Sequence, residues 1–92
     1  MKTQTSTESA IVVLNVKIGI CEDQLKLLDE DQKKVLTMIS DCGTYTHFTE
    51  LNKRMYSNNA LIAIHKRDLK KHRKELQKEN EFLLHLQKKN GN

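Results

Sequence analysis

The stretch FTELNKRMYSNNALIAIHKRDLKKHRKELQKENEFLLHL, residues 48–86, decides how this chain folds. Apolar residues occur at every seventh position and form a first column of side chains: Phe48, Met55, Ile62, Leu69, Leu76 and Leu83. A second column lies three residues further along and is mostly polar: Leu51, Asn58, His65, His72, Glu79 and Leu86. Residues seven apart lie on one side of a helix, and the alternating spacing of three and four places both columns along one seam. The stretch therefore predicts a coiled-coil helix with one apolar and one mostly polar column.

The first half of the chain shows the same period with a more apolar seam. One of its columns contains Ile11, Ile18, Leu25, Gln32 and Ile39, and the other contains Leu14, Cys21, Leu28, Val35 and Cys42. Gln32 is the polar interruption. Val12, Val13, Val16 and Ile20 widen the apolar surface at the start, which predicts that this end faces more than one partner helix.

The heptad register shifts between Cys42 and Phe48. Gly43 is suited to end a helix in the left-handed conformation, and Thr46 to cap the next helix. We expect an all-α, elongated coiled coil, and two architectures stay open: a two-helix hairpin broken near Gly43, or one long interrupted helix. The predicted divisions are a polar N-terminal segment (1–9), a first coiled-coil helix (10–42), a break or turn (43–47), a second, basic coiled-coil helix (48–87) and a frayed tail (88–92). Thr5 and Glu8 predict a capping box.

Composition supports extended helix. The 92 residues include no proline, 4% are aromatic and 30% are charged. Residues 1–49 carry a net charge of −2 and residues 50–92 a net charge of +6, which together give the overall +4. The basic patch comprises Lys66, Arg67, Lys70, Lys71, Arg73, Lys74 and Lys78. We interpret it first as the solvated flank of a coiled coil, and second as a binder of nucleic acid or of an acidic membrane or protein surface.

No arrangement of residues predicts catalysis, and the chain is interpreted as a non-enzyme that needs no cofactor or metal. It lacks a glycine-rich phosphate loop and a Cys–His pair with an orienting residue. His65 and His72 are seven residues apart, about 10 Å along a helix, which is too far for one metal ion. Two cysteines predict no disulfide framework. Without a secretory signal or an apolar run of membrane-spanning length, we expect a cytoplasmic protein without a transmembrane segment.

The polar column predicts selective association with other chains. In a symmetric dimer, four consecutive polar layers would place like residues against each other, which favours a hetero-oligomer with other coiled-coil proteins. The predicted partner-selecting residues are Asn58, His65, His72 and Glu79. The predicted partner-binding residues are Ile18, Leu25, Leu28, Val35, Ile39, Met55, Ile62, Leu69, Leu76 and Leu83.

Lys66-Arg67-Asp68-Leu69 matches the signature K-x-D-L, and Gln32-Lys33-Lys34-Val35-Leu36 lies upstream of it. With these two segments the chain resembles the KxDL-motif family of small coiled-coil proteins, although Lys70-Lys71-His72-Arg73 replaces the apolar and basic run expected after the motif. The resemblance implies a subunit of the BLOC-one-related assemblies, which act in lysosome positioning and endosomal sorting. It also implies a peripheral location on lysosomes or endosomes.

The sequence thus predicts a non-catalytic subunit or adaptor in a multi-subunit helical complex. Besides trafficking, a cytoskeletal, ciliary or kinetochore complex is an open setting for such a subunit. A basic helix that binds nucleic acid or an acidic surface is the rival from another class, and its strong salt dependence would distinguish it.

Overall fold

The chain is an antiparallel helical hairpin. The computed structural model describes residues 3–89, which form two helices, α1 (Gln4–Asp41) and α2 (Tyr45–Lys89). The helices pack side by side into a rod of 70 × 18 × 14 Å. Near the turn Gln32 contacts Asn59, and further along the rod Glu22 contacts Arg73, so the two helices run in opposite directions. The all-α, elongated fold is confirmed, and of the two predicted architectures the structure has the hairpin.

Helix α1 begins at Gln4, earlier than the predicted residue 10. Thr3 is its N-cap: the Ser6 amide donates to Thr3 Oγ1 at 3.1 Å, and the Thr3 amide donates to Ser6 Oγ at 2.9 Å. These two bonds satisfy donors that the first turn of a helix leaves without partners. The capping box predicted at Thr5 and Glu8 is therefore wrong. Of the predicted polar segment, residues 4–9 belong to α1, and residues 1 and 2 lie outside the described residues.

The turn between the helices spans residues 42–44, so it is shorter than the predicted break at 43–47. Cys42 leaves the helix in an extended conformation, with φ −72° and ψ 134°, and its amide donates to the Ile39 carbonyl at 3.4 Å. Gly43 does not adopt the left-handed conformation, so its predicted role as a left-handed cap is wrong. Thr44, rather than the predicted Thr46, caps α2, because its Oγ1 accepts the His47 amide at 3.2 Å.

The core runs along the seam between the helices. Ile18, Cys21 and Leu69 form a buried cluster, against which Leu25 and Leu76 pack. Further buried apolar residues along the rod are Leu14, Val35 and Leu51. Cys21 is a free thiol that packs here as a small apolar side chain. A two-helix hairpin buries one side of each helix, so the outward sides of α1 and α2 stay accessible.

Helix α2 extends to Lys89, beyond the predicted end at residue 87. Lys88 and Lys89 belong to its last turn, where positively charged side chains stabilise a helix through their attraction to the negative end of the helix dipole. The remaining residues of the predicted frayed tail, 90–92, lie outside the described residues.

Candidate interaction surfaces

A cluster of polar side chains joins the helices near the turn, and we call it the polar clamp (Asp31, Gln32, Arg54, Asn58 and Asn59). Arg54 binds both carboxylate oxygens of Asp31, with Nε donating to Oδ2 at 3.0 Å. Asn58 Nδ2 donates to Asp31 Oδ2 at 2.7 Å and to Gln32 Oε1 at 3.2 Å. Gln32 Nε2 in turn donates to Asn59 Oδ1 at 2.8 Å. The clamp therefore connects two residues of α1 with three residues of α2.

The clamp favours the charged form of its carboxylate. Hydrogen bonds from Arg54, and then from Asn58, lower the pKa of Asp31 below its ordinary value. Asp31 in turn raises the already high pKa of Arg54 through the same contact. Both groups are thus ionised at neutral pH, and two-point binding between a guanidinium and a carboxylate fixes direction as well as distance. The clamp can therefore fix the position of α2 along α1 in the hairpin.

The clamp is the functional cluster that sequence reasoning missed as a unit. The heptad pattern identifies Gln32 as an interruption of the first seam and Asn58 as a polar residue of the second. Their mutual contact was not predicted, because the pairing of the columns within one chain was not settled. Once the hairpin is assumed, the two polar interruptions lie opposite each other, and that coincidence is the signal in the sequence.

The predicted partner-selecting residues all lie on the seam side of α2. Asn58 is buried and uses its amide within the chain, whereas His65, His72 and Glu79 are half-buried. The Nδ1 atom of His72 is buried and has no hydrogen-bond partner among residues 3–89. The structure gathers these four residues along the hairpin interface, and their role in choosing a partner stays a prediction.

The apolar columns are covered within the hairpin. Every predicted partner-binding residue is buried or half-buried: Ile18, Leu25, Leu28, Val35, Ile39, Met55, Ile62, Leu69, Leu76 and Leu83. Ile18 and Leu25 of α1 pack in one cluster with Leu69 and Leu76 of α2, so the partner of each column is the other helix. Binding of these residues to another chain stays a prediction, and in the hairpin it would require the helices to separate.

An apolar surface remains on the outward side of α1, and we call it the valine face (Val12, Val13, Val16 and Ile20). Its side chains are 63%, 51%, 58% and 56% exposed, respectively. Gly19 lies beside Val16 and Ile20, and a Cβ atom placed on it would meet no atom within 4 Å. The sequence predicted that these residues extend beyond the seam, and the structure places them where a second helix has access.

An open groove borders the valine face. It has a volume of about 490 Å³ and lies between the start of α1 and the far part of α2. Its lining combines Ala10, Val13 and Leu14 with the charged residues Lys17, Glu75 and Glu79. The groove thus extends the accessible apolar surface from the valine face toward α2.

The basic patch is exposed along its whole length, but only five of its seven members share the outward side of α2. Arg73 contacts α1 through an ion pair of 3.7 Å with Glu22. Arg67, Lys70, Lys71, Lys74 and Lys78 lie on the outward side of α2, and we call them the basic face. Within residues 3–89 no ion pair neutralises any of these five side chains. In the K-x-D-L segment, Lys66 and Arg67 are exposed, Asp68 is half-buried and Leu69 is buried.

Other classes of site have little support in the described part of the chain. Residues 3–89 contain no group of three or more His, Cys, Asp or Glu side chains that could hold a metal ion. Neither helix, over the same residues, has an apolar stretch of the length that crossing a bilayer requires. Comparison with family models, curated proteins and solved structures finds no match for this chain.

Proposed function

We propose that this protein is a non-catalytic helical-hairpin subunit that binds another helical protein through the valine face of α1. The observation that carries the proposal is the exposure of four neighbouring apolar side chains, each more than half accessible. Single exposed apolar residues are common on protein surfaces, whereas a contiguous apolar surface marks an interaction site. The seam columns are already covered within the hairpin, whereas the valine face is an apolar surface that another chain can reach.

Gly19 supports a close approach of the partner at this place. A glycine inside a helix costs about 0.5–1 kcal/mol relative to alanine. The hairpin itself does not require that cost at Gly19, because a Cβ atom there would meet nothing within 4 Å. Gly19 lies at the edge of the valine face next to Val16, and its missing side chain lets a second backbone approach closely there, which is a common reason for glycine on a packed surface.

The partner that fits the valine face is an amphipathic helix. Val13, Val16 and Ile20 follow the spacing of three and four residues that one helix presents to another. Because the face belongs to α1 alone, a different helical protein can bind it without opening the hairpin. This arrangement supports a hetero-oligomer in which the present chain contributes two helices.

The cellular process is proposed from the family resemblance. The K-x-D-L segment at Lys66–Leu69 supports a role in positioning or sorting lysosomes and endosomes, with the protein acting as an adaptor at their cytoplasmic surface. A subunit of a cytoskeletal, ciliary or kinetochore assembly would use the same hairpin and the same valine face. The helical-subunit proposal itself depends on the exposed face and not on the resemblance.

The experiment compares proteins that copurify with the intact chain and with two variants. In the first variant, Val16→Asp and Ile20→Asp place charges in the valine face. In the matched control, Leu36→Asp and Leu84→Asp place the same charges at exposed leucines elsewhere, which are 53% and 58% accessible. We expect small helical proteins in stoichiometric amounts with the intact chain and the control, and their loss with the first variant, because buried unpaired carboxylates oppose association.

Circular dichroism of each variant establishes that the hairpin is still helical. If the Val16→Asp and Ile20→Asp variant retains the same companions, the valine face is not the interface. If the intact chain is a well-folded monomer that recovers no helical companion, the subunit proposal is wrong.

A further inference from the structure

The outward side of α2 carries a row of positively charged side chains without ion-pair partners among residues 3–89. At 100° per residue, the five side chains of the basic face fall within an arc of about 100°, on the side of the helix opposite Leu69 and Leu76. All five are exposed, and none forms an ion pair with an acidic side chain within residues 3–89. The row extends for about 16 Å along the helix, from eleven residue steps of 1.5 Å. It is therefore a compact positive strip on a straight rod.

We propose that the basic face binds the anionic headgroups of a lipid membrane, with the hairpin lying flat on the surface. A lysine or arginine close to an anionic leaflet contributes about 1 kcal/mol, so a group of five gives substantial binding without insertion of the chain. A rod 70 Å long with a strip on one side can place all five side chains against a flat surface at once. This inference does not depend on the proposed binding of a helical protein.

The composition of the strip favours a membrane over a nucleic acid. Four of the five residues are lysines, which act as point charges and lack the two-pronged geometry with which arginine recognises phosphates and bases. No Phe, Tyr or Trp lies between Arg67 and Lys78 to stack on a base, and the imidazole of His72 is half-buried on the seam side of the helix. Ile64, which is 43% exposed, precedes the strip on the same side of the helix. An apolar side chain in that place can enter the boundary of the lipid headgroups, whereas a phosphate backbone offers it no contact.

The position of the basic face leaves the valine face free. Each face lies on the outward side of its own helix, so the two faces look away from each other across the hairpin. A membrane bound to α2 would not cover the exposed apolar residues of α1. The rod can therefore bind a membrane and a helical protein at the same time.

The test measures binding of the intact chain to vesicles of phosphatidylcholine, with and without about 30% phosphatidylserine. We expect binding to the anionic vesicles alone, and a steep loss of binding when salt is raised from about 0.1 to about 0.5 M. A variant with Lys71→Gln, Lys74→Gln and Lys78→Gln is expected to lose affinity by on the order of a hundredfold, since each charge contributes about fivefold. Ile64→Ser is expected to weaken binding severalfold and to leave its salt dependence unchanged.

The matched control removes the same charge from α1 through Lys26→Gln, Lys33→Gln and Lys34→Gln, all at exposed positions. It is expected to bind the anionic vesicles within a few-fold of the intact chain, and circular dichroism verifies that both triple variants are helical. An equal loss in the control would overturn the proposal, because net charge and not the basic face would then govern binding. Failure to bind anionic vesicles would also overturn it. Tighter binding to duplex DNA or RNA than to vesicles at the same salt would assign the face to nucleic acid instead.

Discussion

Gln32 of α1 and Asn58 of α2 face each other across the hairpin, with Asn58 Nδ2 donating to Gln32 Oε1 at 3.2 Å. Gln32 interrupts an otherwise apolar column of α1, and Asn58 lies between Leu51 and His65 in the mostly polar column of α2. A shift of one helix along the other by one heptad would place Asn58 against an apolar residue of the Gln32 column and leave its hydrogen bonds to Asp31 and Gln32 unmade. Because buried polar groups without partners are costly, this pair selects one register of the two helices.

Asn58→Leu is expected to lower the free energy of unfolding by about 1–3 kcal/mol, because Asp31 and Gln32 lose a partner at a buried position. Adding Gln32→Leu is expected to recover part of that loss, since two apolar side chains then meet across the seam. Urea unfolding of the intact chain, both single variants and the double variant measures the coupling between the two sites. If the effects of the single variants simply add, the contact does not set the register.

The heptad columns were sufficient to predict the helices, their seam and the possibility of a hairpin. They were insufficient to predict which chain covers the seam, because a column such as Ile62, Leu69 and Leu76 can pack within a chain or between chains. The polar column shows the same ambiguity. The sequence predicts Asn58 as a selector of another protein, whereas in the structure its amide contacts Asp31 and Gln32 of its own chain.

Acidification tests the charged part of the polar clamp. The pKa of Asp31 is lowered in the folded chain by hydrogen bonds from Arg54 and Asn58. A carboxylate with a lowered pKa stabilises the fold above its ordinary pKa of about 3.9, and this contribution is lost as pH falls toward the lowered value. Asp31→Asn is therefore expected to reduce Tm at about pH 6 and to reduce it less at about pH 2.

The control for this measurement is Asp23→Asn, an exposed residue of α1 without a hydrogen bond or ion pair to any other described side chain. Its effect on Tm is expected to be small at both values of pH, as is usual for exposed charges. A pH-independent loss of stability in Asp31→Asn would show that the carboxylate acts through shape and not through charge.

Gly19→Ala separates the stability of the hairpin from the binding of a partner. We expect the isolated hairpin to gain about 0.5–1 kcal/mol, because alanine favours helix and its Cβ meets nothing within 4 Å. We expect binding of the helical partner to weaken, because that Cβ would lie where the second backbone approaches. Thermal unfolding and titration with the purified partner measure the two effects.

Gly43→Ala is the matched control for this pair of effects. Gly43 lies in the turn, lacks a left-handed conformation and has equal space for a Cβ atom, but it is far from the valine face. Its replacement is expected to leave partner binding unchanged. Unchanged binding by Gly19→Ala as well would remove the argument for a close approach at α1.

The start of α2 gives a test that distinguishes the observed cap from the one that the sequence suggested. Thr44→Ala removes the acceptor of the His47 amide and is expected to cost about 1 kcal/mol of stability. Thr46→Ala is expected to change stability by less, because Thr46 is an exposed residue inside the first turn of α2. Urea unfolding compares them directly, and a larger effect at Thr46 would place the cap two residues later.

The two N-caps show why the first residue of each helix is harder to predict from the sequence than the heptad pattern is. Thr3 with Ser6, and Thr5 with Glu8, are both suitable capping sequences, and the choice depends on where the seam first becomes buried. Thr7 lies one heptad before Leu14 and is fully buried, so the packed surface, and the helix with it, extends further toward the N-terminus than the apolar residues alone indicated. Because threonine is polar, the sequence pattern alone does not indicate that Thr7 is buried in that column.

The central claim is that the heptad seams of α1 and α2 cover each other within one chain. The distance between residues 22 and 73 tests this claim most directly. Spin labels replace Glu22 and Arg73, two exposed residues whose side chains form an ion pair with 3.7 Å between Glu22 Oε2 and Arg73 Nη2. The labelled chain also has Cys21 and Cys42 changed to alanine, so that only the two chosen sites are labelled. We predict a distance of about 10–20 Å, since packed helices have axes 8–10 Å apart, and the same distance after a helical partner binds. A distance of about 75 Å, from fifty-one residues at 1.5 Å each along one continuous helix, would contradict the hairpin.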